Sequence, residues 1–283
     1  ERLAKSMAIN VDVVVNEAFS VAHREHASNV GIAQHLSNGQ YVFGDQFQYE
    51  CDQINTMIHR QASPRLAIVG GSKIDTKLGL LNTLLDHVDV MVLGGGLANT
   101  CLSAQGHDIG LSICEPSHLD LATSFMNQVR QKGKQLYLPV DCVVAQPSLG
   151  EPEIKSITSV HSNEAIYDFG PDSIRDVQAL VQSSESILWN GPVGWFERSE
   201  FSLGTLSIAR FLDQVNAHVL VGGGDSLRAL TMAKAKQIVL PGGEVQSGLF
   251  QKFASTGGGA FLYLIEHGCF PCHAINQFKG VSE

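Results

Sequence analysis

The chain has 283 residues, a formal net charge of −9 and a hydrophobic content of 44%. This composition is ample for a globular core, whereas the net negative charge argues against a protein that binds nucleic acid or an anionic membrane, because both require clustered cations. No apolar run approaches the roughly 18–20 residues of a membrane-spanning helix and the first residues lack the apolar segment of a signal peptide, so we expect a cytosolic protein.

Short apolar runs alternate along the chain with amphipathic stretches. Continuous rather than alternating hydrophobicity indicates strands that are covered on both faces, as in a parallel sheet between two layers of helices. The predicted fold class is therefore α/β with a doubly wound parallel sheet. Its predicted strands are Val11–Val15, Leu66–Val69, Val90–Leu93, Gln135–Leu138, Ser186–Trp189 and Val219–Val221.

Helical periodicity predicts eight helices between and after these strands. Gly133 follows the fourth of them and is expected to cap its C-terminus. The stretch from Leu240 to Gly248 is expected to be a surface loop. The predicted helices are Asp45–Arg60, Thr76–His87, Leu97–Ala104, Pro116–Lys132, Pro171–Ser183, Leu203–Gln214, Ser226–Ala233 and Ala260–His267.

The segment before Pro64 differs from the rest of the chain. It offers one predicted strand, the basic sequence His23–His26, a loop and one long polar helix. We interpret it as the end of another domain. The helix Asp45–Arg60 then becomes a connector, and a compact α/β domain begins at about Ser63.

Glycine-rich turns are the most informative feature of the sequence. Glycine at a strand-to-helix turn permits a positive φ and lets a ligand approach the backbone, whose free N–H groups suit phosphates. A fourth turn adds Lys73, and Asp225 directly follows the second glycine triplet. Together they indicate a nucleotide site and phosphoryl transfer. The turns are Gly70-Gly71-Ser72-Lys73, Gly94-Gly95-Gly96, Gly222-Gly223-Gly224 and Gly257-Gly258-Gly259.

Neither common phosphate-binding fingerprint is present, since the chain has no G-x-x-x-x-G-K-[ST] and no clean G-x-G-x-x-G. Lys73 and Lys77 are four residues apart. If a helix begins near Lys73, both ammonium groups lie on one face and could hold one polyphosphate. Two solvated surface lysines are the alternative.

The segment Trp189–Glu197 leads from a strand into a rigid turn that offers an amide, a proline and a carboxylate. Asn190 could donate to a phosphate oxygen, Pro192 could flank a base, and Glu197 could accept from ribose hydroxyl groups. A tight turn with an acid at the entry to a helix is the alternative.

Asp225 and Ser226 follow the second glycine triplet at the expected start of a helix. Asp225 is either an N-cap, worth about 1 kcal/mol, or a ligand of Mg²⁺, which proteins hold by one or two carboxylates and substrate phosphates. The third triplet opens the last helix, where unpaired N–H groups could face a phosphoryl group.

The order and spacing of these motifs resemble the phosphoglycerate kinase family along the whole chain. The motifs are G-G-S-K-x-x-x-K, G-G-G, W-N-G-P-V-G-x-F-E, G-G-G-D-[ST] and S-T-G-G-G-A. The segment His23–Ser28 also resembles the family's H-R-x-H-[AS]-S, whose arginine belongs to the 3-phosphoglycerate site. The resemblance implies a two-lobed hinge enzyme that transfers a phosphoryl group between 1,3-bisphosphoglycerate and ADP, with Mg²⁺.

The resemblance also implies a division of the chain and a role for each matching residue. Residues 1–44 would end an N-terminal substrate lobe, 45–62 the interlobe helix, 63–270 the Rossmann-like nucleotide lobe, and 271–283 a tail returning to the first lobe. Lys73 would stabilise the phosphoryl group in transfer, Gly257, Gly258 and Gly259 would donate N–H groups to it, and Arg24 would bind the substrate. The nucleotide, with Asp225 also on Mg²⁺, would be held by Gly71, Lys77, Gly94, Gly95, Gly96, Asn190, Pro192, Glu197, Gly223, Gly224, Asp225 and Ser226.

The family's D-x-N-x-P, S-H-x-G-R-P and N-V-R-F segments have no counterpart in this sequence, and they carry most of the acid-substrate site. Each charge-assisted hydrogen bond that they would make to the substrate is worth about 1.5–3 kcal/mol. We therefore expect the chain to bind nucleotide better than it catalyses. We also expect a monomer, with neither nucleic acid nor membrane as a partner.

Two alternatives remain open at this stage. One is a catalytically inactive remnant that binds a nucleotide or a protein partner, and the other is a nicotinamide-dependent dehydrogenase, which the missing fingerprint disfavours. Six cysteines without regular spacing are expected to be reduced thiols. A zinc site at Cys269-Phe270-Pro271-Cys272 would need a second pair of ligands that the sequence does not supply.

Overall fold

A computed structural model describes residues 1–36, 40–59, 62–148, 150–235, 238, 252–255 and 257–271. The expected loop from Leu240 to Gly248, Cys272 and nearly all of the expected tail lie outside the described residues. The strands are β1 (Val13–Asn16), β2 (Gln40–Phe43), β3 (Arg65–Gly71), β4 (Val90–Gly94), β5 (Gln135–Tyr137), β6 (Asp141–Ala145), β7 (Glu153–Ser156), β8 (Ala165–Phe169), β9 (Ser186–Asn190), β10 (His218–Gly222) and β11 (Lys252–Ser255).

Helices connect most of these strands, and the predicted helices are confirmed to within three residues at their ends. Gly133, with φ of 64°, follows the C-terminus of the sixth helix as expected. The helices are α1 (Arg2–Met7), α2 (Ile32–Gln34), α3 (Asp45–His59), α4 (Leu78–His87), α5 (Gly95–Ala104), α6 (Leu119–Gln131), α7 (Pro171–Gln182), α8 (Leu203–Gln214), α9 (Gly224–Ala233) and α10 (Gly258–His267).

The main sheet has six parallel strands in the order β11-β10-β9-β3-β4-β5. Its strands are apolar on both faces because helices cover both. On β3, Ala67 and Val69 pack in one core with α4, α5 and α10, whereas Leu66 and Ile68 pack in a second core with α7, α8 and α9. This confirms the predicted doubly wound parallel sheet.

The N-terminal segment packs against the first of these cores. The parallel strands β1 and β2 form a separate two-stranded sheet. Phe19 and Phe47, from the segment before β3, contact Phe270 edge-on at ring centroid distances of 5.4 and 5.7 Å. Strand β2 was not predicted, because only four residues form it and its apolar run is too short to be recognised.

A small antiparallel sheet, β7-β6-β8, stands beside the main sheet. The sequence analysis did not predict it, because its short strands carry charges at Asp141, Glu153 and Asp168. One of these acids, Asp141, has a structural role that hydrophobic periodicity does not reveal. Asp141 accepts hydrogen bonds from the backbone N–H groups of Asp172 and Ser173, at 3.0 and 2.7 Å, and so caps the first turn of α7.

No helix in the described part of the chain is long and apolar enough to cross a membrane. Of the six cysteines, the five within the described ranges form no disulfide with one another. Burial raises the pKa of the Cys101 and Cys142 thiols to about 12, so these two are unreactive packing residues.

Candidate nucleotide-binding site

The strand order creates a crevice between β3 and β9 in the middle of the main sheet. From β3 the chain continues through α4 to β4 on one side, and from β9 it continues through α8 to β10 on the other. In open α/β sheets, ligands bind outside the carboxyl ends of the strands at such a reversal. The glycine turns after β3 and β9 stand at this position.

Lys77 and Asn190 join the ends of three strands at the crevice. The Lys77 ammonium donates to the carbonyl oxygen of Gly70 at 2.6 Å and to Asn190 Oδ1 at 2.7 Å. Asn190 Nδ2 in turn donates to the carbonyl oxygen of Gly222 at 2.9 Å. The pair therefore fixes a positive charge where the turns after β3, β9 and β10 meet.

Burial lowers the pKa of Lys77 to about 8, and the negative charge of Asp225 partly opposes this shift. The cause is desolvation of the ammonium group, which has only uncharged oxygen atoms as hydrogen-bond partners. An anionic ligand would supply the missing counter-charge. Lys77 is half-buried and hydrogen-bonded within the protein, so it is not a solvated surface lysine.

Lys73 has a different environment. Its side chain is exposed and lines the cleft, and within the described residues no hydrogen-bond or ion-pair partner of its ammonium group is found. The helix does not begin near Lys73 as the spacing argument supposed. A single turn of 3-10 helix covers Asp75–Lys77, and α4 begins at Leu78.

The first turn of α9 contributes the acid and the hydroxyl group. Ser226 is buried, and its Oγ accepts a hydrogen bond from the backbone N–H of Gly191 at 2.8 Å. Asp225 is exposed and lines the cleft with Lys77. Gly223 precedes this turn with φ of 98°, a conformation that favours glycine.

These groups surround a cleft of about 550 Å³, which is within the usual range of ligand pockets. Its other wall is apolar and includes Ile113, Ile166 and Trp195. Of the residues that the sequence analysis assigned to nucleotide or phosphoryl binding, the cleft is lined by Gly71, Lys73, Lys77, Gly95, Gly96, Pro192, Glu197 and Asp225.

The remaining assigned residues do not line the cleft. Gly94 and Asn190 end β4 and β9, Gly223 follows β10, and Gly224 and Ser226 lie in the first turn of α9.

The third glycine triplet, Gly257-Gly258-Gly259, and Arg24 form a separate group beside the cleft. A Cβ on Gly258 would be 3.6 Å from Gly223 Cα, and one on Gly259 would be 2.8 Å from His23 Nε2, to which Arg24 Nε donates at 3.4 Å.

The Gly257 amide differs from the expectation for its triplet. It donates to Ser255 Oγ at 3.1 Å and is therefore already paired. Ser255 Oγ is itself hydrogen-bonded to the buried Glu50 of α3, whose pKa is raised chiefly by burial. The first-turn N–H groups of α10 that remain for a ligand are therefore those of Gly258, Gly259 and Ala260.

The chain matches the family model described as phosphoglycerate kinase over residues 1–267. It belongs to the phosphoglycerate kinase family. It is 39% identical to phosphoglycerate kinase of Legionella pneumophila (strain Lens), in an alignment of 283 residues that covers 98% of this chain and 67% of that protein. It is 38% identical over 275 residues to the Coxiella burnetii enzyme.

Solved phosphoglycerate kinases have the same fold. The structure from Coxiella burnetii superposes with a TM-score of 0.86 at 38% identity, over 98% of this chain and 68% of that one. The structure from Pyrococcus horikoshii OT3 gives a TM-score of 0.78 at 24% identity, over 96% and 65% of the two chains, which supports the fold alone. The chain spans about two thirds of the length of these phosphoglycerate kinases.

Two acids that shape this phosphoglycerate kinase cleft were missed in the sequence. Glu115 accepts hydrogen bonds from the backbone N–H groups of Ile74 and Asp75 and so fixes the turn after Lys73. Asp168 lies in the cleft wall that the end of β8 contributes, and burial raises its pKa to about 7. Both are distant in sequence from the turns that they hold, so no local motif could have identified them.

The described residues contain no group of three or more His, Cys, Asp or Glu side chains that could hold a metal by themselves. A magnesium ion bound with a nucleotide needs no such group, because phosphate oxygens and water complete its coordination around one or two carboxylates. The exposed carboxylate of Asp225 on the cleft fits this requirement.

Proposed function

We propose that this chain supplies the nucleotide site of a phosphoglycerate kinase, which transfers a phosphoryl group reversibly between 1,3-bisphosphoglycerate and ADP to give 3-phosphoglycerate and ATP. The observation that carries the proposal is the cluster of Lys77, Asn190 and Gly70 at the strand reversal. It offers a half-buried cation to a polyphosphate next to an acid suited to magnesium. No observation on the described residues favours the inactive remnant.

In this proposal the cleft binds the nucleotide from base to phosphate. The apolar wall with Pro192 and Trp195 flanks the base, and Glu197 accepts from the ribose hydroxyl groups. Glu197 is exposed, and Arg228 is its partner at 3.9 Å, so the carboxylate remains accessible. Lys77 and the amides of the glycine turns hold the phosphates.

The reaction then depends on position and charge. Phosphoryl transfer passes through a loose transition state that needs no general base or covalent intermediate. Lys73, whose ammonium is exposed on the cleft, neutralises the group in transfer, and the first-turn amides of α10 donate to it. Magnesium, when held by Asp225 and the phosphates, neutralises charge on the nucleotide. Arg24, beside α10, binds the acid substrate.

Calorimetric titration of the chain with MgADP tests the nucleotide part of the proposal. A coupled kinase assay on the chain extended at its N-terminus tests the reaction. Absence of both nucleotide-dependent heat and turnover would refute the proposed function.

In keeping with the family resemblance, we also propose a cytosolic monomer divided into the lobes and interlobe helix described above.

Replacing Lys73 with Ala should slow phosphoryl transfer far more than it weakens nucleotide binding. The exposed ammonium acts where negative charge develops, so its removal should lower kcat by about 100-fold or more while Kd for MgADP changes by about threefold at most. Single-turnover kinetics and calorimetry measure the two quantities. Lys132→Ala, a surface change outside the cleft, is the control, and equal effects of Lys73→Ala on kcat and Kd would refute this role.

Replacing Asp225 with Asn should remove the effect of Mg²⁺ on ADP binding. Loss of an outer-sphere partner costs about 10–100-fold in metal affinity, and loss of a direct ligand should cost at least as much. ADP titrations with Mg²⁺ and with EDTA measure the difference. Asp172→Asn, which changes the corresponding first-turn acid of α7, controls for helix stability. An undiminished Mg²⁺ response would leave Asp225 as a helix-terminal charge only.

A further inference from the structure

Asp168 is a buried carboxyl group that has no role in the proposed mechanism. It lies near the end of β8, lines the cleft, and is only 1% exposed. Its Oδ2 accepts a hydrogen bond from the backbone N–H of Gly204 at 2.7 Å. Burying a carboxyl group is costly, so its place in the cleft wall requires an explanation.

The hydrogen bond with Gly204 caps helix α8 from a distant part of the chain. Ser202, at the N-cap position of α8, makes no side-chain capping hydrogen bond. The next residue of the same turn, Thr205, accepts at Oγ1 from the backbone N–H groups of Val193 and Gly194, at 3.2 and 3.3 Å. The turn that Asp168 fixes is therefore the turn that holds the loop after β9.

Asp168 also fits closely beneath that loop. A Cβ at Gly194 or at Gly204 would overlap its Oδ1, and within the described residues Oδ1 has no hydrogen-bond partner. On the neighbouring residue, the Tyr167 carbonyl oxygen accepts from the backbone N–H of Trp195 at 2.8 Å. The end of β8 thus supports the loop at two successive residues.

The supported loop begins beside the phosphate cluster, at Gly191, and extends along the cleft to Glu197. It presents Pro192, Trp195 and Glu197 to the cleft. The Trp195 ring is 40% exposed and lies parallel to the Phe201 ring, with centroids 6.1 Å apart. Among the residues that the structure describes, no hydrogen bond joins Asp168 to Lys77 or to the glycine turn after β3, so Asp168 should affect one half of the site and not the other.

We propose that Asp168 is a positioning residue that sets the base-and-ribose wall of the cleft through the first turn of α8, so that the site distinguishes a nucleoside polyphosphate from a bare polyphosphate. This inference rests on the proposed function, because it assumes that nucleotide binds in the cleft. Asp168 supports the loop after β9 through Gly204 and takes no part in the phosphate contacts.

The test compares ADP with inorganic tripolyphosphate as ligands of the same protein. Asp168→Ala should weaken ADP binding by about tenfold or more, because a displaced wall no longer packs against base and ribose, and should leave tripolyphosphate binding within about twofold. Asp168→Asn keeps an oxygen acceptor for Gly204 and should restore most of the ADP affinity. Calorimetry measures both ligands, and Trp195 fluorescence reports the wall.

Asp141→Ala is the matched control, since Asp141 caps α7 in the same way and its hydrogen bonds go to α7 rather than to the loop. It should destabilise the fold without changing the ratio of the two affinities. Thr205→Val removes the hydroxyl group that accepts from the backbone N–H groups of Val193 and Gly194. If Asp168→Ala does not fold, this variant gives the same comparison of ADP with tripolyphosphate.

The outcomes separate the two proposals. A wild-type chain that binds neither ligand overturns the proposed function. A wild-type chain that binds ADP, with an unchanged ratio of affinities in Asp168→Ala or Thr205→Val, overturns only the role of Asp168. Equal weakening of ADP binding and of tripolyphosphate binding also overturns the role of Asp168, because it indicates a general loss of structure.

Discussion

Replacing Lys77 with Met should weaken ADP binding at pH 7 by roughly 10–150-fold, the equivalent of the 1.5–3 kcal/mol of a charge-assisted hydrogen bond. The Lys77 ammonium lies at the meeting point of three strand ends and is held by Gly70 and Asn190. Met has a similar length and fills the same space without the charge. Calorimetry with metal-free ADP in EDTA measures the change independently of magnesium.

The pH dependence of binding gives this prediction its sharper form. Burial lowers the pKa of Lys77 to about 8, and a bound phosphate favours the charged form. Between about pH 7 and pH 8 the ammonium is already largely present, so affinity should change little. Above pH 8 binding must take up a proton, so affinity should fall by up to about tenfold per pH unit until the pKa of the complex is reached.

The phosphate groups do not titrate in this window, because the second pKa of a phosphate ester is about 6. Lys77→Met should therefore show weak binding that does not vary from pH 7.5 to pH 9.5. Lys132→Met, which removes a charge outside the cleft, should keep the decline of the wild type. A wild-type affinity that stays level through pH 8 to 9.5 would contradict the placement of Lys77 against the phosphates.

The parts of the site that are local in sequence could be predicted, and the structure shows why. Strand β3 ends in Gly70 and Gly71, and the hydrophobic run before them is apolar on both faces because two cores meet there. Each glycine triplet lies at a junction of strand and helix, as expected. The strand, the turn and the following helix together form one short stretch, so pattern and propensity agree.

The parts that depend on contacts between distant residues could not be predicted. Glu115 fixes the turn at Ile74 across 41 positions, and Asp168 caps α8 across 36. Their own neighbourhoods carry no signal, because one lies in an irregular loop and the other in a short, charged strand. The environment of Lys77 was also beyond the sequence, since its buried state depends on Asn190, which is 113 positions away.

Replacing Gly70 with Ala should damage both the fold and the nucleotide site. A Cβ at this position would overlap the carbonyl oxygen of Pro192 and lie 2.7 Å from that of Gly191. Both neighbours are backbone atoms, and Gly191 is held in a left-handed conformation with φ of 90°. They cannot turn aside as a flexible side chain would, so the two turns must separate.

Overpacking of this kind costs roughly 1–3 kcal/mol, which urea denaturation should report as a lower midpoint at an unchanged slope. The Lys77 ammonium donates both to the Gly70 carbonyl oxygen and to Asn190 Oδ1. The separation also moves these two acceptors apart. ADP affinity should therefore fall by about tenfold or more, because the ammonium is no longer held in position for the phosphates.

Gly150→Ala is the matched control. Among the residues that the structure describes, a Cβ at Gly150 would meet only Gln146 Cβ, at 4.0 Å, so this substitution should leave the denaturation midpoint and ADP affinity unchanged. If Gly70→Ala gives the same result as Gly150→Ala, the contact between the turns after β3 and β9 is looser than the structure indicates. A lower midpoint with full ADP affinity would instead separate the packing of the two strand ends from the cation that they position.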